Sequence, residues 1–91
     1  MSNKTIEIND KMKINLIAFG IAKDILGQRK LSIEVNDNSQ ISDLKDTLVN
    51  QFPAFGKLTK LSFAINEEYQ TDDFRLSANE EVVIIPPVAG G

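Results

Sequence analysis

The run Val82-Val83-Ile84-Ile85-Pro86-Pro87 constrains the fold of this 91-residue chain more than any other segment. Val82 to Ile85 are all β-branched and have the character of a buried strand. The two prolines then forbid its continuation, because neither can donate a ladder hydrogen bond and both hold φ near about −65°. Strand pairing therefore ends at Ile85, and the chain leaves extended. The remaining segment, Val88-Ala89-Gly90-Gly91, ends in two residues without side chains. Lacking a Cβ, Gly90 and Gly91 take nearly any backbone conformation and fit a channel too narrow for other residues. Such a tail suits the delivery of a terminal carboxyl group into another protein's active site. The competing reading is a frayed end with no role.

Length and composition admit one small domain, with 42% hydrophobic and 25% charged residues. A chain of this size buries roughly 60–65% of its unfolded surface, enough for one core but not for a deep enclosed active site. No apolar stretch approaches the ~20 residues of a membrane span, and the polar segment from Met1 to Met12 predicts no signal peptide. The chain has no histidine and no cysteine. The commonest general base, thiolate nucleophiles and the usual zinc ligands are therefore missing, as is any thiol that could carry a persulfide. A chain without disulfides suits the cytoplasm. Asp43, Asp46, Glu67-Glu68, Asp72-Asp73 and Glu80-Glu81 read as solvated charges. The five glycines, Gly20, Gly27, Gly56, Gly90 and Gly91, form no phosphate loop. We expect neither a metal site nor a self-contained enzyme. The formal charge of −3 argues against nucleic acid as partner and favours a protein with a basic docking surface.

Hydrophobic patterning predicts an alternation of strands and helices after a polar extension over residues 1–11. Met12 to Phe19 places Ile14 and Leu16 on one face and Ile17 and Phe19 on the other, as in a central strand apolar on both sides. Gly20 to Leu26 reads as a short helix, with Ile21 and Ile25 spaced i, i+4 and Gly27 placed to terminate it. Leu31 to Asn36 alternates strictly and reads as a half-buried strand returning beside the first. Ser39 is the expected N-cap of the main helix, in which Ile41, Leu44, Leu48, Val49 and Phe52 recur at helical spacing. Pro53 stops that helix. Residues 54–61 read as loop with Phe55 tucked beneath, Leu61 to Asn66 as a third strand and Val82 to Ile85 as the last. The expected architecture is α+β, a sheet with helices packed on one face.

The order of elements resembles the β-grasp fold of ubiquitin and of the small sulfur-carrier proteins, which implies a mixed sheet. Three stretches narrow the resemblance: Phe19 to Gly27, Phe63 to Asn66, and Glu81 to Gly91. Together they are similar to the family of molybdopterin synthase small subunits, over about Met12 to Gly91. The ending Pro-Pro-Val-Ala-Gly-Gly is the most specific part. Two departures stand out. The polar extension is longer than usual, and the last turn reads Ala78-Asn79-Glu80-Glu81 where the family has Gly-Asp. Asparagine tolerates φ > 0 best among non-glycine residues. The resulting organisation is an extension over 1–11, a β-grasp domain over 12–85 and a tail over 86–91.

The resemblance implies a mechanism centred on Gly91. A terminal carboxyl is an anion at neutral pH and a poor electrophile. An adenylating enzyme would convert it with ATP to an acyl-adenylate, and sulfur transfer would leave a thiocarboxylate. The tail, comprising Pro86, Pro87, Val88, Ala89, Gly90 and Gly91, would then enter the large catalytic subunit of a heterotetrameric synthase. There it would donate sulfur to a pterin precursor in molybdenum-cofactor biosynthesis. No bound cofactor, nucleic acid or membrane is implied. Phe19, Tyr69 and Ile85 are the expected partner-binding residues, although Phe19 and Ile85 also fit an ordinary core. Lys23 and Lys60 could meet acidic partner groups or stay solvated. Two alternatives remain open: a carrier for another pathway, such as thiamine or tRNA thiolation, and a ubiquitin-like binding module without transfer chemistry.

Overall fold

The computed structural model describes residues 10–58 and 60–87. Strand β1 (Lys11–Ala18) leads through helix α1 (Gly20–Leu26) to β2 (Lys30–Asn36). Helix α2 (Ile41–Gln51) and a 3₁₀ helix (Pro53–Lys57) come next, then β3 (Ser62–Ile65), β4 (Glu68–Gln70) and β5 (Glu81–Ile85). The strands form one five-stranded sheet in the order β2-β1-β5-β3-β4. β1 and β5 pair in parallel, whereas β1–β2, β5–β3 and β3–β4 are antiparallel. The sheet is therefore mixed, and the last strand of the chain lies at its centre.

One face of this sheet carries the core. Met12, Ile14, Leu16 and Ala18 of β1 share that face with Ile33 and Val35 of β2, Phe63 and Ile65 of β3, and Val82 and Ile84 of β5. Ala22 and Leu26 of α1, Ile41, Leu44 and Leu48 of α2, and Phe55 of the 3₁₀ helix close over it. The period-two pattern of the strands and the 3.6-residue pattern of α2 thus point at each other, which produces an α+β layer pair. At about 25 cal/mol per Å² of apolar area, burial of each large side chain favours folding by roughly 1.5–3 kcal/mol.

Local chemistry explains most boundaries. Gly27 ends α1 at φ 81°, and its N–H donates to the Lys23 carbonyl. The ladder between β3 and β5 ends at the pair Ser62–Ile85, the residue before Pro86. Asn79, at φ 64°, supplies the left-handed residue of the turn into β5, and its N–H donates to the Lys13 carbonyl at 2.7 Å.

Several sequence expectations are corrected. The N-cap of α2 is Gln40, not Ser39. Ser39 is buried one step earlier, its hydroxyl donating to the Asn36 carbonyl at 2.6 Å, while Asp43 accepts from the Gln40 N–H at 2.8 Å. Residues 54–61 are not simply loop, because Pro53, preset at helical φ, starts a 3₁₀ helix that drives Phe55 into the core. β1 is interior to the sheet but buries only one face, with Ile17 half-exposed on the other and Phe19 beyond the strand's end. In α1 the buried residues are Ala22 and Leu26, whereas Ile21 is 50% exposed. β4, three residues long and polar, escaped the pattern altogether. Of the extension, Lys11 belongs to β1 and residues 1–9 lie outside the described residues. Val88, Ala89, Gly90 and Gly91 lie outside them too.

Candidate functional site

Among the described residues no helix covers the other face of the sheet, and register determines what that face displays. Ile17 lies beside Val83, Val83 beside Ala64, and Ala64 beside Tyr69. Paired residues share a face, so one apolar row crosses four strands. One pleat toward the C-terminal end of β5, Ile85 pairs with Ser62, and Phe19 comes two residues after Ile17, just past β1. One pleat the other way the surface turns polar, with Ser32, Asn15 and Glu81 aligned across β2, β1 and β5. The apolar area is therefore confined to the end from which the tail departs.

Exposure separates most of this surface from the core, Ala64 being buried at 6%. Phe19 is 52% and Tyr69 69% exposed, while Ile17, Val83 and Ile85 are half-buried. None of these five belongs to the core cluster. Exposed aromatics beside aliphatic neighbours form the kind of apolar patch that marks an interaction surface. The Arg29 guanidinium lies 5.8 Å from the centroid of the Phe19 ring. A cation over the ring face favours one ring orientation and adds positive charge at this rim. Pro86 and Pro87, both half-buried and outside any strand, lead from Ile85 toward the tail.

Tyr69 and Ile85 thus come to one face, joined by Ile17, Val83 and Ala64, which the linear reading did not single out, while Phe19 is exposed one residue past the β1–β5 ladder. Parity along β1 and β5 would have found Ile17 and Val83. Ala64 and the placement of Tyr69 required β4. Lys60 is exposed just before β3, and Lys23 is exposed on α1. Among the described residues, no group of three His, Cys, Asp or Glu side chains converges as metal ligands would. Nor is any helix among them long and apolar enough to cross a membrane. This geometry sets an apolar surface beside the end of β5, from which Pro86 and Pro87 continue outside the ladder.

Fold and site together define a ubiquitin-like β-grasp domain whose central strand runs out into a C-terminal tail. The ThiS family model matches residues 16–91, and the chain belongs to that family. It is 32% identical over 89 residues to the molybdopterin synthase sulfur carrier subunit of Arabidopsis thaliana, covering 94% of this chain and 93% of that one. The protein of the same name from Caenorhabditis elegans is 29% identical over 83 residues, covering 88% and 99%. Among solved structures, a putative molybdopterin converting factor subunit 1 from Pyrococcus furiosus superposes with a TM-score of 0.77 at 20% identity, covering 85% of this chain and 99% of that one. The ubiquitin of Caldiarchaeum subterraneum gives 0.62 at 19%, covering 90% and 100%. At these identities the structural matches establish the fold alone.

Proposed function

We propose that this chain is the sulfur carrier subunit of a molybdopterin synthase. The observation that carries the reading is positional: the central strand, bordered by an apolar open face, leads directly into Pro86, Pro87 and a terminal diglycine. Relatives matching nearly the whole chain carry that name, which supports the pathway.

Chemistry at Gly91 proceeds in three steps. An adenylating enzyme joins the carboxylate to AMP from ATP and releases pyrophosphate, which turns a poor electrophile into a good one. Hydrosulfide released by a sulfur donor then attacks the acyl carbon, AMP leaves with the bonding electron pair, the S–H proton is lost, and a thiocarboxylate remains. In the large subunit the sulfur attacks an electrophilic carbon of the pterin precursor and displaces an oxygen substituent, and water then hydrolyses the acyl carbon–sulfur bond, which regenerates the Gly91 carboxylate and leaves a thiolate on the pterin. Acid, base and substrate-binding groups lie on the partners. This chain contributes the terminal atom, the clearance of Gly90 and the exit set by Pro86 and Pro87. Phe19, Tyr69 and Ile85 dock the partner, with Ile17 and Val83 between them. The chain works in the cytoplasm, beside its ATP-dependent activating enzyme.

The decisive test is intact mass after incubation with ATP, a sulfur donor and the candidate adenylating enzyme. The expected result is one oxygen replaced by sulfur, localised to Gly91. An unchanged mass, with that enzyme active on its own carrier, would refute the proposal and favour a binding module. Transfer only to a different acceptor system would move the carrier to another thiolation pathway.

A further inference from the structure

The outer edge of β2 has a hydrogen-bonding phase fixed by its inner edge. The Ala18 N–H donates to the Arg29 carbonyl at 2.8 Å, and the Asp37 N–H donates to the Asp10 carbonyl at 3.1 Å. The register between them pairs Ile17 with Lys30 and Lys11 with Asn36. In an antiparallel ladder hydrogen-bonded pairs alternate with non-bonded ones, so the odd-numbered residues of β2 bond to β1. Lys30, Ser32 and Glu34 therefore aim both N–H and C=O away from β1. The Ser32 hydroxyl, donating to Asn15 Oδ1 at 2.8 Å, agrees, because side chains approach most closely at non-bonded pairs. β2 is the outermost strand, and among the described residues no strand pairs with its outer edge. The same three residues carry exposed side chains on the open face.

Those side chains are complementary to themselves. An antiparallel pair of two β2 edges closes its ladder only when even-numbered residues oppose even-numbered ones. Centring the pair on Lys30 or Glu34 sets like charges against each other. Centring on Leu31 sets Lys30 against Ser32, and centring on Ile33 sets Glu34 against Ser32. Centring on Ser32 sets Lys30 of each copy against Glu34 of the other, with Leu31 opposite Ile33 on the helix-bearing face. Of these registers, this one joins opposite charges twice.

We propose that a second copy of this chain docks on this edge in the Ser32-centred register, merging the two sheets into one. Opposed residues share a face, so the two-fold axis stands perpendicular to the sheet. Both open faces then lie on the same side, and the two tails leave from opposite ends. Charged residues on an edge commonly prevent pairing; here their spacing selects a single register. A lone strand-to-strand contact falls below the roughly 1,200 Å² of stable complexes, so the association is weak and concentration-dependent.

Sedimentation of the full chain up to about millimolar concentration should show reversible dimerisation, the range in which such small interfaces associate. Lys30→Glu or Glu34→Lys alone should weaken it about tenfold by opposing like charges. An equimolar mixture of the two variants should recover it, as should the double reversal within one chain. In the unmodified protein, concentration should slow amide hydrogen exchange selectively at Lys30, Ser32 and Glu34, a readout independent of how any variant folds. A strictly monomeric chain would overturn the proposal. So would a dimer indifferent to the single reversals, a mixture that fails to recover, or protection at other amides.

Discussion

Glu67 sits at φ 68° in the two-residue turn between β3 and β4, beside Asn66 at φ 53°. Both signs suit the twist of a tight hairpin, but only Asn66 belongs to a residue type that tolerates them well. Left-handed backbone costs an ordinary side chain about 1–2 kcal/mol, and glycine repays part of that through a more disordered unfolded chain. Glu67→Gly should therefore raise stability by up to about 1 kcal/mol, read as a higher melting temperature. Gly27→Ala should do the reverse. At φ 81° a Cβ there meets nothing within 4 Å, so the loss of about 1 kcal/mol would be backbone strain without a clash. The two positions also show what the sequence disclosed. Gly27 announced a helix end, whereas the glutamate in the hairpin turn gave no signal, and β4 stayed hidden behind it.

Parity is the lesson at the level of the element. On β1, Leu16 and Ile17 are adjacent and similar, yet one is fully buried in the core cluster and the other faces the open side. Leu16→Ala should cost about 2–5 kcal/mol in denaturant unfolding. Ile17→Lys should leave the unfolding midpoint nearly unchanged while weakening binding to the large subunit at least about tenfold in titration calorimetry. Equal destabilisation by both would return this face to the core. Alternation made β2 legible, an unbroken β-branched run made β5 legible, and helical spacing made α2 legible. The start of α2 was misplaced because its capping box joins Gln40 to Asp43, whose carboxylate accepts from the Gln40 N–H, so the shorter Ser39 is not the cap. Asp43→Ala should remove that bond and a favourable charge in the first turn, costing about 1 kcal/mol. The open face was only half legible, since Ile85 is indistinguishable from a core residue until register sets it on the face of Val83 and Tyr69, and Phe19 until its exposure is known.

At the level of the whole molecule, the fold and the reactive end answer to different tests. A single residue appended after Gly91 should leave the melting temperature unchanged and abolish thiocarboxylate formation, as measured by intact mass. A binding module without transfer chemistry would tolerate the addition. The parallel pairing of β1 with β5 has a further consequence. It joins the first described strand to the last, across more than sixty intervening residues, so the loop closure it needs comes late and slowly in folding. Until β5 arrives, β1–β2 and β3–β4 are two hairpins with no strand between them. A chain interrupted before Glu81 would have a split sheet and no stable core. During synthesis, then, the segment that completes the fold is the one that emerges just ahead of the diglycine.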